Sequence, residues 1–196
     1  MTTGIERIHI NSTWNSWRIR MSHALAPAAD AIYQEVFAEM GLPLHDELQI
    51  TECTKEEAIA RYDWQEGIDV RLYFARGGGA TLQEKFLNFR TSTVTFEERK
   101  GATGGLGAWY SCTAQYYFVG YARHYHNDGI LEFDDWIILD LPALRRADGR
   151  EEVKWYFNTN RHDQCTNVFR YTHFNEVPET CIIAQRKNIE QSKGSR

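Results

Sequence analysis

Apolar residues spaced three and four positions apart predict a helix from Pro27 to Met40. Pro27 suits the first turn of a helix, and Gly41 followed by Pro43 is typical of a helix end. Charged residues lie on the flanks, so the pattern indicates a surface helix that packs one side against a core. The apolar face of this helix is expected to contain Ala29, Ile32, Tyr33, Val36, Phe37 and Met40.

Runs of β-branched and aromatic residues predict three consecutive strands at 68–74, 80–87 and 92–98. A glycine turn at 77–79 joins the first two strands, and we expect all three to pair in sequence as a meander. The order of helix, meander and later elements predicts an α/β fold with a central mixed β-sheet flanked by helices. The later elements are a helix at 108–114, strands at 115–121 and 133–139, a short helix capped by Asp140, and strands at 153–157 and 181–184.

Length and composition are those of a single domain spanning 1–196, with its core in about 27–140 and a polar tail at 187–196. Hydrophobic residues make up 42% of the chain, but no apolar run approaches the roughly 18 residues of a membrane span. The N-terminal residues lack the apolar segment of a signal peptide. The four cysteines include no Cys-x-x-Cys pair, which disfavours a zinc knuckle or a disulfide framework. We therefore expect a cytoplasmic protein in a reducing environment, with no membrane partner.

The net charge of −5 bears on the choice of partner. Proteins that bind nucleic acid usually present a basic surface, so an acidic balance counts against that partner. Acidic metal sites add negative charge, however, and a basic patch can be local. The central part of the chain has such a local excess of basic residues: Arg71, Arg76, Lys85, Arg90, Arg99 and Lys100.

Asp69 is the most informative residue of the chain, because it places a charge inside the apolar stretch 67–74. A buried carboxylate without a partner is costly, so we expect Asp69 to be paired or to bind a cation. The strand after the glycine turn returns Gln83, Glu84 and Lys85 to its side. Because side chains alternate along a strand, Gln83 and Lys85 are expected on one face and Glu84 on the other.

This group has the composition of a site for a hard cation and a phosphate. Mg²⁺, or Mn²⁺ in its place, prefers oxygen ligands and is often held by one or two carboxylates together with water and phosphate oxygens. The sequence predicts three oxygen ligands: the Asp69 carboxylate, the Gln83 amide oxygen and the main-chain carbonyl of Glu84. Lys85 is expected to orient or deprotonate the attacking water and to stabilise charge in the transition state.

An acid near the start of one strand, a hairpin, and Gln-x-Lys on the next strand resemble the PD-(D/E)XK nuclease superfamily, which includes restriction enzymes and phage endonucleases. The resemblance covers about residues 27–125, with Gln83 standing where most members carry an acid. It implies a restriction-endonuclease-like core that hydrolyses DNA with a Mg²⁺- or Mn²⁺-activated water. It also implies a phage or mobile-element origin and, by analogy, a homodimer. The family often adds an acid from the helix before the sheet, for which Glu35 is the best match, Asp63 the second and Glu39 the third.

Other interpretations of the same residues remain open. Asp69 and Lys85 can form a plain cross-strand ion pair on a solvent-facing sheet. The glutamine can mark a lost site, which predicts a non-catalytic nucleic-acid-binding or assembly protein on a nuclease-like fold. The chain can also be a protein–protein module, which would bind neither metal nor nucleic acid.

Two later segments contain residue types that metal and nucleic-acid sites use. His124 and His126 share one face if extended and, with Asn127, resemble an HNH nuclease site. The sequence after them predicts a turn and a strand instead of a ββα frame, so we interpret these histidines as loop polarity. The second segment, at 161–174, is interpreted as ordinary loop and core residues, with nucleic-acid contact as the alternative. Its basic and aromatic residues are Arg161, Phe169, Arg170, Tyr171 and Phe174.

Overall fold

The computed structural model describes residues 4–7, 16–45, 67–87, 91–101, 104–122, 132–162 and 165–187, with the backbone alone at 16–23, 161, 162 and 165. No helix in these ranges is long and apolar enough to cross a membrane. In chain order the elements are β1 (Ile5–Arg7), α1 (Ser16–Glu39), β2 (Val70–Tyr73), β3 (Gly79–Leu87), β4 (Thr93–Arg99), α2 (Ala108–Ser111), β5 (Tyr116–Ala122), β6 (Phe133–Asp140), α3 (Leu141–Gly149), β7 (Tyr156–His162), β8 (Cys165–His173), a 3₁₀ turn (Glu179–Cys181) and β9 (Ile182–Arg186).

A six-stranded mixed sheet forms the centre of the described fold, in the order β1-β2-β3-β5-β6-β9. The β3–β5 pair is parallel, with Leu82 opposite Tyr116 and Leu87 opposite Tyr121, and the other neighbours are antiparallel. The parallel pair arises because the chain leaves the sheet after β3, forms β4 and α2, and re-enters at β5 in the same direction. The predicted α/β fold with a central mixed sheet is confirmed, with few helices around it.

β4 belongs to a second sheet of three antiparallel strands, in the order β4-β8-β7. The predicted meander is wrong here, since Thr95 of β4 lies opposite Tyr171 of β8 and not beside β3. A local pattern identifies β4 as a strand but contains no information about a partner so far along the chain. No strand is predicted at β8, because Arg170 and Thr172 are buried polar residues that conceal the usual alternation.

The main sheet has a hydrophobic core on each face. α1 packs on one face, where the ring of Tyr33 meets Phe118 edge-on with centroids 5.4 Å apart. The second sheet, α2 and α3 pack on the other face, where Phe96 stacks on Tyr117 at 4.3 Å and contacts Trp109. Neighbouring residues of β5 thus point into opposite cores, as the alternation of a strand requires.

The N-terminal bound of α1 differs from the prediction. The helix begins at Ser16, and Pro27 lies inside it on an exposed position. Proline is most frequent in a first helical turn, and that preference predicts the wrong start. Inside a helix, proline removes one main-chain hydrogen bond and its ring clashes with the preceding turn, at a cost of about 3 kcal/mol, so the packing of α1 has to offset this cost. The predicted end is confirmed, since the helix stops at Glu39 and Gly41 adopts φ of 75°.

The junction between β6 and α3 follows the prediction. The Asp140 carboxylate accepts a hydrogen bond from the Ala143 amide at 2.7 Å, and Pro142 lies in the first turn. This cap ends β6 and turns the chain back over the second core, where Leu144 is fully buried.

Candidate active site

Asp69 lies just before β2, at the open end of the β2–β3 hairpin. Its amide donates to the Leu82 carbonyl at 3.0 Å, one residue before the first registered pair of β2 and β3, Val70 and Leu82. The next amide of β3 facing β2 belongs to Glu84, and the Asp69 carboxylate accepts its hydrogen bond at 2.8 Å. The same carboxylate oxygen accepts a hydrogen bond from the Gln83 side-chain amide. The structure therefore brings Asp69 and Gln83 into contact. The Asp69 carboxylate also serves as the acceptor for the Glu84 amide, which lies beyond the part of β3 that pairs with β2.

Gly67 sets the path of the chain into this site. It adopts φ of 61°, a left-handed conformation that residues with a side chain rarely take. A Cβ atom here would lie 3.2 Å from the Cα and Cβ atoms of Cys112 and 3.2 Å from the amide oxygen of Gln83. Glycine thus allows residues 67–69 to pass between the end of α2 and the side chain of Gln83.

Glu84 points to the opposite face of the sheet, as strand alternation predicts. Its carboxylate accepts a hydrogen bond from Tyr33 at 2.7 Å and forms an ion pair with Arg7 of β1. Arg7 also pairs with Asp30 of α1, so one guanidinium joins β1, α1 and β3. Burial raises the pKa of Glu84, while the attraction of Arg7 opposes that rise. The side chain of Glu84 therefore stabilises the strand and leaves only its main-chain carbonyl near Gln83, whose amide donates to it at 3.3 Å.

Lys85 lies on the same face of β3 as Gln83. Its ammonium donates to the main-chain carbonyl of Thr95 in β4 at 3.1 Å, and that carbonyl also accepts a bond from the Tyr117 hydroxyl at 2.9 Å. Burial raises the pKa of Tyr117, so this hydroxyl stays a donor at neutral pH. A cavity of about 330 Å³ opens beside this contact, and Gln83 and Lys85 both line it.

Glu97 supplies a carboxylate to the same cavity, and no local pattern around it indicates that position. It is half-buried on β4 and, like Thr95, alternates with the core residue Phe96. The alternation could have shown that Thr95 and Glu97 share a face. It could not show that this face turns towards Lys85, because the second sheet is assembled by pairing with distant β8. Lys100 adds a positive charge to the cavity wall.

The structure does not bring Glu35 to this cavity. α1 packs on the face of the main sheet towards which Glu84 points, where Tyr33 reaches that carboxylate. Glu35 and Glu39 are exposed on α1, away from the buried side of the helix, and Gln83 points to the opposite face of the sheet. The expectation that the preceding helix supplies the second acid is corrected accordingly. Asp63, the second match for that acid, lies outside the described residues, as do His124 and His126.

The donor set at Asp69 limits which metal could be held there. Among the described residues, no cluster of three or more histidine, cysteine, aspartate or glutamate side chains has the arrangement of a metal site. One carboxylate, one amide and one main-chain carbonyl do not suit a structural zinc ion. They suit Mg²⁺, which keeps several waters and takes phosphate oxygens as ligands. Rotation of the Gln83 amide by half a turn would place its oxygen, instead of its nitrogen, beside the Asp69 carboxylate.

Cys112 borders Gly67 but lacks the properties of a nucleophile. Its thiol is buried, and burial raises its pKa to about 11. A thiol reacts as its thiolate, so Cys112 is expected to alkylate at least about 100-fold more slowly than a free cysteine at pH 8. Iodoacetamide labelling followed by peptide mass spectrometry measures this rate, with the urea-unfolded chain as the reference. Equal labelling of Cys112 in folded and unfolded protein would contradict the burial described here.

Comparisons with protein-family models, with curated proteins and with solved structures gave no match to this chain. The class that the fold itself defines is a mixed α/β protein with a six-stranded central sheet in its described part. Its candidate site is a carboxylate, an amide and a lysine at one end of a hairpin. The resemblance to the PD-(D/E)XK nucleases stays a prediction, and the function has to be inferred from the site.

Proposed function

We propose that this protein is an endonuclease that hydrolyses phosphodiester bonds of DNA with a divalent cation, Mg²⁺ or Mn²⁺, at Asp69 and Gln83. One observation carries the proposal: Gln83, in contact with Asp69, lines the same cavity as Lys85 two residues along the strand. A cation ligand and an ammonium group on one cavity wall can hold a phosphate between them. The facing wall carries Glu97.

Asp69, Gln83, Glu84 and Lys85 have distinct roles in this proposal. The cation would neutralise charge on the phosphate and lower the pKa of the attacking water. Asp69 and Gln83 would bind it, with the Glu84 carbonyl as a third oxygen. Lys85, held at the cavity wall by its bond to Thr95, would donate to a phosphate oxygen and stabilise the charge that develops there.

Glu97 is our candidate for the second acid that a site with a single carboxylate needs. It lines the cavity with Lys85 and Lys100, where it can accept a proton from water or bind the cation through a water molecule. We expect Glu97→Gln to lower the rate of cleavage and Glu35→Gln to leave it unaltered. Cleavage rates of the two variants on one oligonucleotide decide between the acids. The reverse result would identify Glu35 of α1, and not Glu97, as the second acid.

The function is tested by incubating purified protein with supercoiled plasmid and with labelled oligonucleotides in Mg²⁺, Mn²⁺ or EDTA. Cleavage is expected with either metal and not with EDTA. Asp69→Asn removes the charge but can still accept the hydrogen bond from the Glu84 amide, so cleavage should be lost while the fold persists. Glu179→Gln, an exposed site on the 3₁₀ turn, is the matched control. The proposal fails if no metal supports cleavage, or if cleavage survives both Asp69→Asn and Lys85→Met.

The small number of carboxylates favours a second candidate function, a non-catalytic nucleic-acid-binding protein. In that case Asp69 only completes the bonding of β3, as its contact with the Glu84 amide allows. Binding would then depend on salt concentration and proceed without turnover, and Mg²⁺ would not raise the melting temperature. Thermal unfolding with and without Mg²⁺ separates the two functions independently of the nuclease assay.

A further inference from the structure

A second and larger cavity, of about 580 Å³, adjoins the candidate active site. It lies between the main sheet and one face of the second sheet, and it shares Lys85 and Thr95 with the smaller cavity. We call it the sheet groove. The residues that matter for its chemistry are Lys85, Thr95, Asn158, Asn160, Phe169 and Tyr171.

Aromatic rings line the sheet groove on its β8 side. Phe169 and Tyr171 are two residues apart and share a face, with Asn158 of β7 opposite Phe169. Both rings are half-buried, and Tyr171 stacks on Tyr156 with centroids 5.3 Å apart and planes inclined by 23°. Aromatic side chains on an open sheet face are platforms on which nucleic-acid bases stack.

The other face of the second sheet already has a structural role. Arg170, between the two groove aromatics, points to that opposite face, where it lies over the rings of Trp109 and Trp155. Phe96 lies opposite Arg170 in the register and packs in the same core. The residues of the second sheet that point to this face, such as Phe96 and Arg170, are therefore buried in the core. Phe169 and Tyr171 point to the other face, where they line the sheet groove and can contact a ligand.

The charges and polar groups of the sheet groove favour an anionic ligand with polar ring edges. Two basic side chains, Lys85 and His173, line the groove. Among the described residues, no carboxylate lines it. Asn158 and Asn160 are exposed amides that can both donate and accept hydrogen bonds. Threonine hydroxyls of the β4 side add further small donors and acceptors. Flat rings, amides and an ammonium together match the base, the base edges and the phosphate of a nucleotide.

We propose that the sheet groove binds unpaired nucleotides, so that the substrate of this protein is single-stranded nucleic acid. Bases within a duplex are stacked on each other and cannot lie on a protein aromatic ring, whereas the bases of a single strand can. The substrate assignment rests on the proposed function, because Lys85 lines both cavities and would hold the phosphate next to the bound bases. Binding to the groove itself does not depend on cleavage.

Fluorescence anisotropy in EDTA tests the sheet groove without any cleavage. The probes are fluorescein-labelled oligo-dT and oligo-rU of twelve nucleotides and a DNA duplex of the same length. We expect the single strands to bind at least about tenfold tighter than the duplex. Phe169→Leu, which keeps an apolar side chain but removes the ring, should weaken single-strand binding by about 5- to 150-fold. Tighter binding of either single strand supports the proposal about the groove, while a preference for oligo-rU would contradict DNA as the substrate of the proposed function.

Phe157→Leu is the matched control, since Phe157 is 62% exposed on the neighbouring strand and contacts Arg170 on the opposite face. It should bind single strands as the wild type does. A second pair of variants avoids any loss of packing. Asn158→Asp places a negative charge in the groove, and Gln34→Glu makes the same change at an exposed position of α1. Only Asn158→Asp should weaken binding.

The outcomes separate the groove from the proposed function. Equal binding of duplex and single strand, or equal losses in Phe169→Leu and Phe157→Leu, would overturn the proposal about the groove even if the protein cleaves DNA. Single-strand binding that depends on Phe169 and Asn158 but is never followed by cleavage would support the groove and overturn the nuclease.

Discussion

Replacement of Lys85 by methionine is expected to slow cleavage by about 10²- to 10³-fold, the usual effect of removing one charged donor that stabilises a transition state. Methionine has a similar length and fills the space of the lysine stem. The Thr95 carbonyl keeps the hydroxyl of Tyr117 as a donor, so this acceptor is not left without a partner. The loss should therefore appear in the rate and not in the fold.

Single-turnover cleavage with excess enzyme and Mg²⁺ measures the effect of Lys85→Met on the chemical step. Circular dichroism and thermal unfolding check the fold of the same preparation. Lys187→Met removes the exposed lysine that follows β9 and should cleave at the wild-type rate. The loss expected from removing a charge-stabilising donor is much larger than threefold. If Lys85→Met folds and cleaves within about threefold of the wild-type rate, Lys85 does not act in cleavage.

Replacement of Arg7 by methionine is expected to lower the free energy of unfolding by about 3–5 kcal/mol, the usual cost of removing one partner of a buried ion pair. Arg7 and Glu84 are both largely buried, and Arg7 joins Glu84 to Asp30. Without it, the Glu84 carboxylate keeps only the Tyr33 hydroxyl among the contacts described. Urea denaturation of both proteins measures the difference.

The free energy of unfolding that Arg7→Met loses should also depend on pH, and the direction of this dependence follows from the burial of Glu84. Burial raises the pKa of Glu84, and Arg7 opposes this rise, so Arg7→Met raises the folded pKa further above its unfolded value. A raised folded pKa gives stability that is present below the unfolded pKa and is lost as pH rises through the folded value. Arg7→Met should therefore be least destabilised in the acidic range where a free carboxyl group is protonated, and the destabilisation should grow as pH rises above that range. The double variant Arg7→Met, Glu84→Gln should recover much of the loss at pH 8, and failure to recover would assign the effect of Arg7 to packing alone.

Elements defined by neighbouring residues were predictable from the sequence. The end of α1 at Gly41 and the capping of α3 by Asp140 depend on local backbone chemistry and occur as predicted. The contact of Asp69 with Gln83 is also local, because a single glycine turn joins their strands. Strand alternation then placed Gln83 and Glu84 on opposite faces.

Features that depend on distant pairing were not predictable in this way. The partner of β4 is β8, and nothing in either segment specifies the other. The place of Glu97 in the cavity depends on that distant pairing, whereas the prediction of Glu35 rests on analogy with a helix that in this fold packs on the other face. Polar residues such as Arg170 are buried by aromatic neighbours that only the folded chain assembles.

The separation between local and distant pairing has a consequence for how the site forms during folding. Asp69 and Gln83 meet through a short hairpin, whose closure costs little chain entropy. The sheet groove requires β4 to find β8, a contact of high sequence separation that is expected to form late. The hairpin half of the site, where we propose that the cation binds, and the groove half thus belong to different stages of assembly. Mutations in β7 and β8 are then expected to alter the proposed groove while the hairpin that carries Asp69 and Gln83 still folds early.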